Sequence, residues 1–178
     1  MKPVINTLIL FSMLLLTSCQ KQDNYQSSAD EIFPPVPMKH VALYRINNQA
    51  ISPAFFHGQW SVVIFGTESC NEGCLKRLTL VNEVRKAKKL FVMTGIASHA
   101  ILNDLGKQFS NVAISMGTTA SSFDNFYAQF GSEMELPDDQ HKSIYLVNPS
   151  AELVSKVDFT KLNSGDIDNE ITLAGLQE

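Results

Sequence analysis

The run Trp60-Ser61-Val62-Val63-Ile64-Phe65-Gly66 constrains this chain more than any other stretch, because it is almost continuously apolar and rich in β-branched and aromatic residues. A strand of that kind is covered on both faces, as happens when helices lie on either side of a sheet. After Thr67-Glu68-Ser69 the chain reads Cys70-Asn71-Glu72-Gly73-Cys74, and Leu75, Leu78, Val81, Val84 and Ala87 then recur at helical spacing. The expectation is a buried strand, a thiol-bearing junction and an amphipathic helix. Residues at i and i+4 on a first helical turn share a face, so both sulfurs would point at one ligand or at each other. Such a pair suits a soft metal ion or a reversible disulfide. The amides and positive dipole end of the following helix would favour thiolates. Arg85, Lys86, Lys88 and Lys89 are expected near the helix end, where they complement its dipole.

The alternation continues downstream. Leu90 to Ile96 reads as a second buried strand, and Ser98 as the cap of a helix carrying Ile101, Leu102, Leu105 and Phe109. Val112 to Met116 reads as a third strand. Thr118 or Thr119 would cap a helix carrying Phe123, Phe126, Tyr127 and Phe130, with Gly131 as its stop. That aromatic stripe is expected to be core. His141 to Val147 and Glu152 to Val157, joined by Asn148-Pro149-Ser150-Ala151, read as a β-hairpin, and the tail from Ser164 as a helix through Ile167, Ile171 and Leu176. Upstream, Val41 to Ile46 and Gln49 to Ile51 flank a turn at Asn47-Asn48 and form a small hairpin. The fold class is therefore α/β: a thioredoxin-like three-layer sandwich with an N-terminal β-hairpin extension.

The N-terminus carries an address. Met1-Lys2 and the apolar run Leu8 to Leu16 precede Leu16-Thr17-Ser18-Cys19. The apolar core is too short for a membrane span, which needs roughly 20 residues, and reads as a signal peptide over 1–18. Leu16 to Cys19 resembles the bacterial lipobox, so Cys19 is expected to become the first mature residue and to carry lipid. Residues 19–38, polar and then proline-rich, read as a lipid-anchored tether, and 39–178 as the folded domain. The location implied is the bacterial cell envelope, with the domain outside the cytoplasm, on the periplasmic face. Of three cysteines in the chain, Cys70 and Cys74 then remain. A short loop between cysteines removes little unfolded-state entropy, so function explains the pair better than scaffolding. The net charge of −4, with both signs interspersed, argues against a nucleic-acid partner.

From His40 onward the chain resembles the Sco/SenC family of copper-binding proteins. The resemblance rests on Gly58 to Gly66, the C-x3-C pair, Phe123 to Gly131, and His141 through Tyr145-Leu146-Val147-Asn148-Pro149. It implies a membrane-tethered thioredoxin fold that binds copper, as Cu(I) or Cu(II), through Cys70, Cys74 and His141. Its implied role is assembly of the binuclear copper centre of cytochrome c oxidase, as metallochaperone or as thiol reductase. The implied partner is the oxidase's copper-bearing subunit or another copper chaperone. Two thiolates and an imidazole form a soft donor set that suits copper on chemical grounds as well. Three departures from the family pattern stand out. Asn71 and Leu75 replace the prolines that usually follow the cysteines, with Glu72 near the usual aspartate position. His141 lies four residues before Tyr145 where the family has five, and Gln140 occupies the five-before place. The segment Phe91 to His99 lacks the family's acidic, proline-containing pattern. In a regular strand the one-residue slip would turn His141 to the opposite face, unless a bulge restored it. His40, His57 and His99 read as solvated or capping residues.

Two other functions share the same residues. In a thiol-disulfide oxidoreductase, Cys70 would attack a target disulfide and Cys74 would resolve the mixed disulfide. In a thiol peroxidase, Thr67-x-x-Cys70 would resemble the peroxiredoxin threonine and cysteine, but Val63 stands where that family has proline.

Overall fold

The computed structural model describes residues 27–45, 47–67, 69–94, 99–131 and 142–176, with the side chain of His99 excepted. The signal peptide, its cleavage point, Cys19, Ser98 and His141 lie outside the described residues.

One sheet of eight strands runs through the domain: β1 (Ala29–Pro37), β2 (Leu43–Arg45), β3 (Ala50–Ile51), β4 (Ser61–Gly66), β5 (Lys88–Met93), β6 (Ala113–Gly117), β7 (Ser143–Val147) and β8 (Glu152–Asp158), in the order β1-β8-β7-β4-β5-β6-β2-β3. β4, β5 and β6 are parallel, which requires helical crossovers. These are α1 (Glu72–Glu83) and α2 (His99–Gln108). α3 (Ala120–Tyr127) follows β6, and α4 (Ser164–Ala174) closes the chain.

Every residue of β4 is buried, as its uninterrupted apolar composition requires. Its alternation divides the core. Val62 and Ile64 pack with Leu78 and Val81 of α1, Leu102 and Leu105 of α2, and Ile167 and Ile171 of α4. Val63 and Phe65 pack on the other face with Phe123, Phe126 and Tyr127 of α3 and with Phe130. The aromatic stripe is core as expected: the Phe65 ring lies 4.9 Å from both Tyr127 and Phe130, edge to face. Helices on both faces of one sheet give the α/β, thioredoxin-like arrangement, with the β2–β3 hairpin added next to β6.

Several expectations are corrected. The proline-rich segment read as tether contains β1, which pairs with β8 on the edge of the sheet. Prolines are tolerated there because one side of an edge strand needs no ladder bonds, and the pairing breaks between Glu31 and Val36, where Pro34 and Pro35 fall. α1 ends at Glu83, so Val84 and Ala87 follow the helix, and Lys88 and Lys89 belong to β5. The backbone N–H groups of Arg85 and Lys86 instead donate to the Asp168 carboxylate of α4. β5 ends at Met93, short of Ile96, and the hairpin strand β7 begins at Ser143. Leu176, expected on the inner face of the last helix, lies beyond α4 and is exposed.

The caps follow the sequence more closely. The Thr119 hydroxyl accepts the N–H of Ser122 at the start of α3. Gly131, at φ 124°, ends the 3-10 turn Ala128–Phe130 in a conformation that favours glycine.

Candidate functional site

The two cysteines meet where β4 gives way to α1. β4 ends on Gly66, whose carbonyl accepts the Thr94 N–H at 2.8 Å. The Thr67 carbonyl accepts the Cys70 N–H at 3.2 Å, closing a turn, and the Thr67 and Ser69 hydroxyls are 2.7 Å apart. Asn71 is the helix N-cap: its Oδ1 accepts the N–H of Gly73 at 2.9 Å and of Cys74 at 3.3 Å. Two of the amides left without helical partners are thereby satisfied.

Cys70 therefore precedes the helix instead of sitting on its first turn. It holds φ at 32°, in the left-handed region that a residue bearing a Cβ adopts at a cost. That turn brings its Sγ to Cys74, and the two form a disulfide with Sγ–Sγ 2.07 Å and Cα–Cα 5.0 Å. The convergence expected from an i, i+4 pair is present, reached by a turn before the cap. Both cysteines are buried in the α1 side of the core, Cys74 completely and Cys70 at 7 % exposure. Any reagent from solvent meets Cys70 first.

Gly66 and Phe91 form the wall behind Cys74. A Cβ on Gly66 would lie 2.8 Å from two carbons of the Phe91 ring and 3.1 Å from Cys74 Sγ. A sulfur this close to the end of β4 needs a residue with no side chain there. Sequence reasoning missed this role, although a glycine that ends a buried strand just before a cysteine pair was the available signal. It also missed Asn71 as the cap, which the preference of helix N-termini for Asn would have indicated.

Glu72, the acidic residue between the cysteines, points away from the sulfurs. It is 84 % exposed and pairs with Lys76 at 2.8 Å. Its carboxyl is held below the usual range, first by the hydrogen bond from Lys76 and then by that charge. On β7, Ile144 and Leu146 pack on the cysteine side of the sheet, and Tyr145 and Val147 on the other. β7 starts at Ser143, so its regular alternation stops short of position 141. His40 and His57 are exposed, and His57 bridges Ser150 in the turn between β7 and β8. Among the described residues no group of three or more His, Cys, Asp or Glu is placed to hold a metal ion. The described part of the site is the two sulfurs, and joined as a disulfide they offer no thiolate to a metal.

No protein-family model matches the chain, and no curated protein does. Solved structures match along most of its length. Yeast Sco1 with copper bound gives a TM-score of 0.64 at 16 % identity, over 86 % of this chain and 96 % of that one. The fold is that of the Sco proteins. A SCO1/SenC family lipoprotein from Bacillus anthracis gives 0.64 at 13 % identity, over 79 % of this chain and 97 % of that one. BsSco, a member of the Sco family of cytochrome c oxidase assembly proteins in which a disulfide switch has been identified, gives 0.62 at 14 % identity, over 80 % and 96 %. The α/β arrangement derived above is the one these structures share.

Proposed function

We propose that this chain is a Sco-type copper metallochaperone, lipid-anchored at Cys19 in the bacterial cell envelope with its domain outside the cytoplasm. It serves assembly of the binuclear copper site of cytochrome c oxidase, and its partner is the oxidase's copper-bearing subunit or another copper chaperone. One observation carries the reading. Two sulfurs converge at the end of the buried central strand, in a fold shared with Sco proteins whose structures hold copper.

Copper requires the pair reduced. A dithiol donor delivers two electrons to the Cys70–Cys74 bond; the S–S bond breaks, two protons give two thiols, and the donor becomes a disulfide. Copper then displaces those protons, and two thiolates form a soft site for Cu(I) that His141 completes for Cu(II). Binding weakens at low pH because thiols and imidazole must lose their protons. Exchange with an oxidised partner disulfide re-forms the Cys70–Cys74 bond, passes two electrons to that partner, which becomes a dithiol, and releases the metal, so the redox state of the pair sets whether copper is held.

A second reading is favoured by the unequal exposure of the sulfurs. As a thiol-disulfide oxidoreductase, the reduced pair would attack a target through the more accessible Cys70, and Cys74 would resolve the mixed disulfide. That chemistry has no use for His141, so full function of His141→Ala in cells, with loss on Cys70→Ser, would select it. The copper reading is tested by equilibrium uptake of Cu(I). The reduced protein is expected to retain one copper against a competing chelator and the oxidised protein none, while equal uptake by both forms would refute it.

A further inference from the structure

A cavity of about 550 Å³ lies between α4 and β1, away from the cysteine pair. Leu146 of β7 and Ser155 of β8 lie on its sheet side, and Trp60, Leu173 of α4 and Phe33 of β1 stand around them. Trp60 immediately precedes β4, whose far end carries Gly66 and leads to the cysteines, so the cavity opens toward the opposite end of the sheet. Cavities of this size hold small organic molecules.

Its charge is one-sided. Glu31, Glu152 and Glu170 all line it, and among the described residues that do so none is Lys, Arg or His. Glu170 is only 3 % exposed, and its carboxylate accepts the Ser27 hydroxyl at 2.8 Å and the Ser28 N–H at 2.7 Å. Glu152 is half-buried, its Oε2 accepting from Asn148 Nδ2 at 3.1 Å, and Glu31 is exposed. Carboxylates gathered in a cleft with low-dielectric walls focus their field on whatever enters, and that favours cations. The aromatic rings act in the same sense. Trp60 and the exposed Phe33 offer faces that attract an ammonium group and cover apolar surface.

The sheet register adds a second observation. Glu31 pairs with Ser155, and Ser155 with Leu146, so the three side chains stand in one row on the α4 side. Ser155 is 5 % exposed, and its hydroxyl has no hydrogen-bond partner among the described residues. Its oxygen can accept from an N–H, and leaving it unpaired in an apolar setting is costly. Glu152 lies three residues back along β8, at most about 10 Å along the strand. Donors are therefore wanted at two places, at the Glu31–Ser155 row and at Glu152, with apolar surface beside both.

We propose that this cavity binds a linear aliphatic amine carrying two or more ammonium groups. One ammonium faces Glu31 at the Ser155 row, another faces Glu152, and the methylenes between them lie against Leu146 and Trp60. A bare divalent ion would gain nothing from Leu146, Leu173 and the aromatic rings, and an uncharged chain would gain nothing from the carboxylates. The inference rests on neither copper, redox turnover nor lipid attachment.

Trp60 is the chain's single tryptophan, so its fluorescence reports on the cavity directly. The full chain, held with phosphatidylcholine vesicles at fixed ionic strength, is titrated with spermidine, and in parallel with magnesium chloride and with butane-1,4-diol. Equilibrium dialysis against labelled spermidine measures the same binding without relying on the fluorophore. Spermidine is expected to give a saturating fluorescence change and one bound molecule per chain, and neither magnesium nor the diol a saturating change. Glu31→Gln combined with Glu152→Gln should weaken binding at least about fivefold, the sum of two exposed or half-exposed ion pairs. Both glutamines keep a side-chain oxygen, so the Asn148 contact retains its acceptor. Leu173→Lys, which sets a cation in the wall, should abolish binding, with circular dichroism confirming the fold of each variant. No saturable spermidine binding by dialysis, an equal response to magnesium, or undiminished affinity in the double glutamine variant would overturn the proposal. Copper uptake is measured separately, so a failure there would fault the proposed function and leave this inference standing.

Discussion

Replacing Gly66 by alanine should disturb the cysteine pair from behind. The new Cβ would sit 2.8 Å from the Phe91 ring and 3.1 Å from Cys74 Sγ, in a part of the core where Phe91 and Cys74 are fully buried. Neither neighbour is the free end of a flexible chain: one is a ring edge and the other is tied to Cys70. Overpacking of this kind costs about 1–3 kcal/mol. In a domain of this size that lowers Tm by about 2–4 °C per kcal/mol. The disulfide holds the sulfur more firmly than a free thiol would be held, so the oxidised form should bear more of the strain. Each 1.4 kcal/mol of preferential destabilisation would raise the reduction potential of the pair by about 30 mV. Thermal unfolding of both redox forms and equilibration with glutathione buffers read the two effects. Adding Phe91→Leu removes one of the two opposing groups and should restore part of the lost stability. Unchanged Tm and potential in Gly66→Ala, or no recovery in the double variant, would refute the reasoning.

Removing the cap by Asn71→Ala leaves the amides of Gly73 and Cys74 without their side-chain acceptor and should cost about 1 kcal/mol. Thermal unfolding checks this, and a Tm equal to that of the native chain would contradict it. Tyr145 predicts an alkaline limit. Burial, the main cause, pushes its hydroxyl well above the ordinary value, so the unfolded chain ionises first. Folding stability from this group is complete below about pH 10 and falls as pH rises above it, a loss that Tyr145→Phe should reduce in urea titrations across that range. Equal alkaline sensitivity in the variant would show that another group sets the limit.

Much of the fold was legible because its signals are local and periodic. β4 announces burial on both faces by an apolar run without alternation, and α3 announces its inner face by Phe123, Phe126 and Tyr127 at helical spacing. β1 was not legible, since Pro34, Pro35 and Pro37 argue for an open segment unless the strand lies on an edge, and edge position is a property of the whole sheet. The hydrogen bonds from the Ser27 hydroxyl and the Ser28 N–H to the buried Glu170 carboxylate were hidden for the same reason: they join residues more than 140 positions apart. At the site, the sulfurs' meeting follows from their spacing, but the left-handed Cys70 and the cap at Asn71 moved Cys70 off the helix. The approach of Gly66 to Phe91 depends on the parallel pairing of β4 with β5, which no local pattern encodes.

The most direct measurement of the central claim is a Cu(II) titration of the reduced domain followed by visible absorption, alongside Cys70→Ser, Cys74→Ser and His141→Ala. The account predicts a thiolate-to-Cu(II) charge-transfer band that saturates at one copper, is lost in both cysteine variants, and is weakened and shifted in His141→Ala. No such band in the reduced protein, or a band that survives Cys70→Ser and Cys74→Ser, would contradict it.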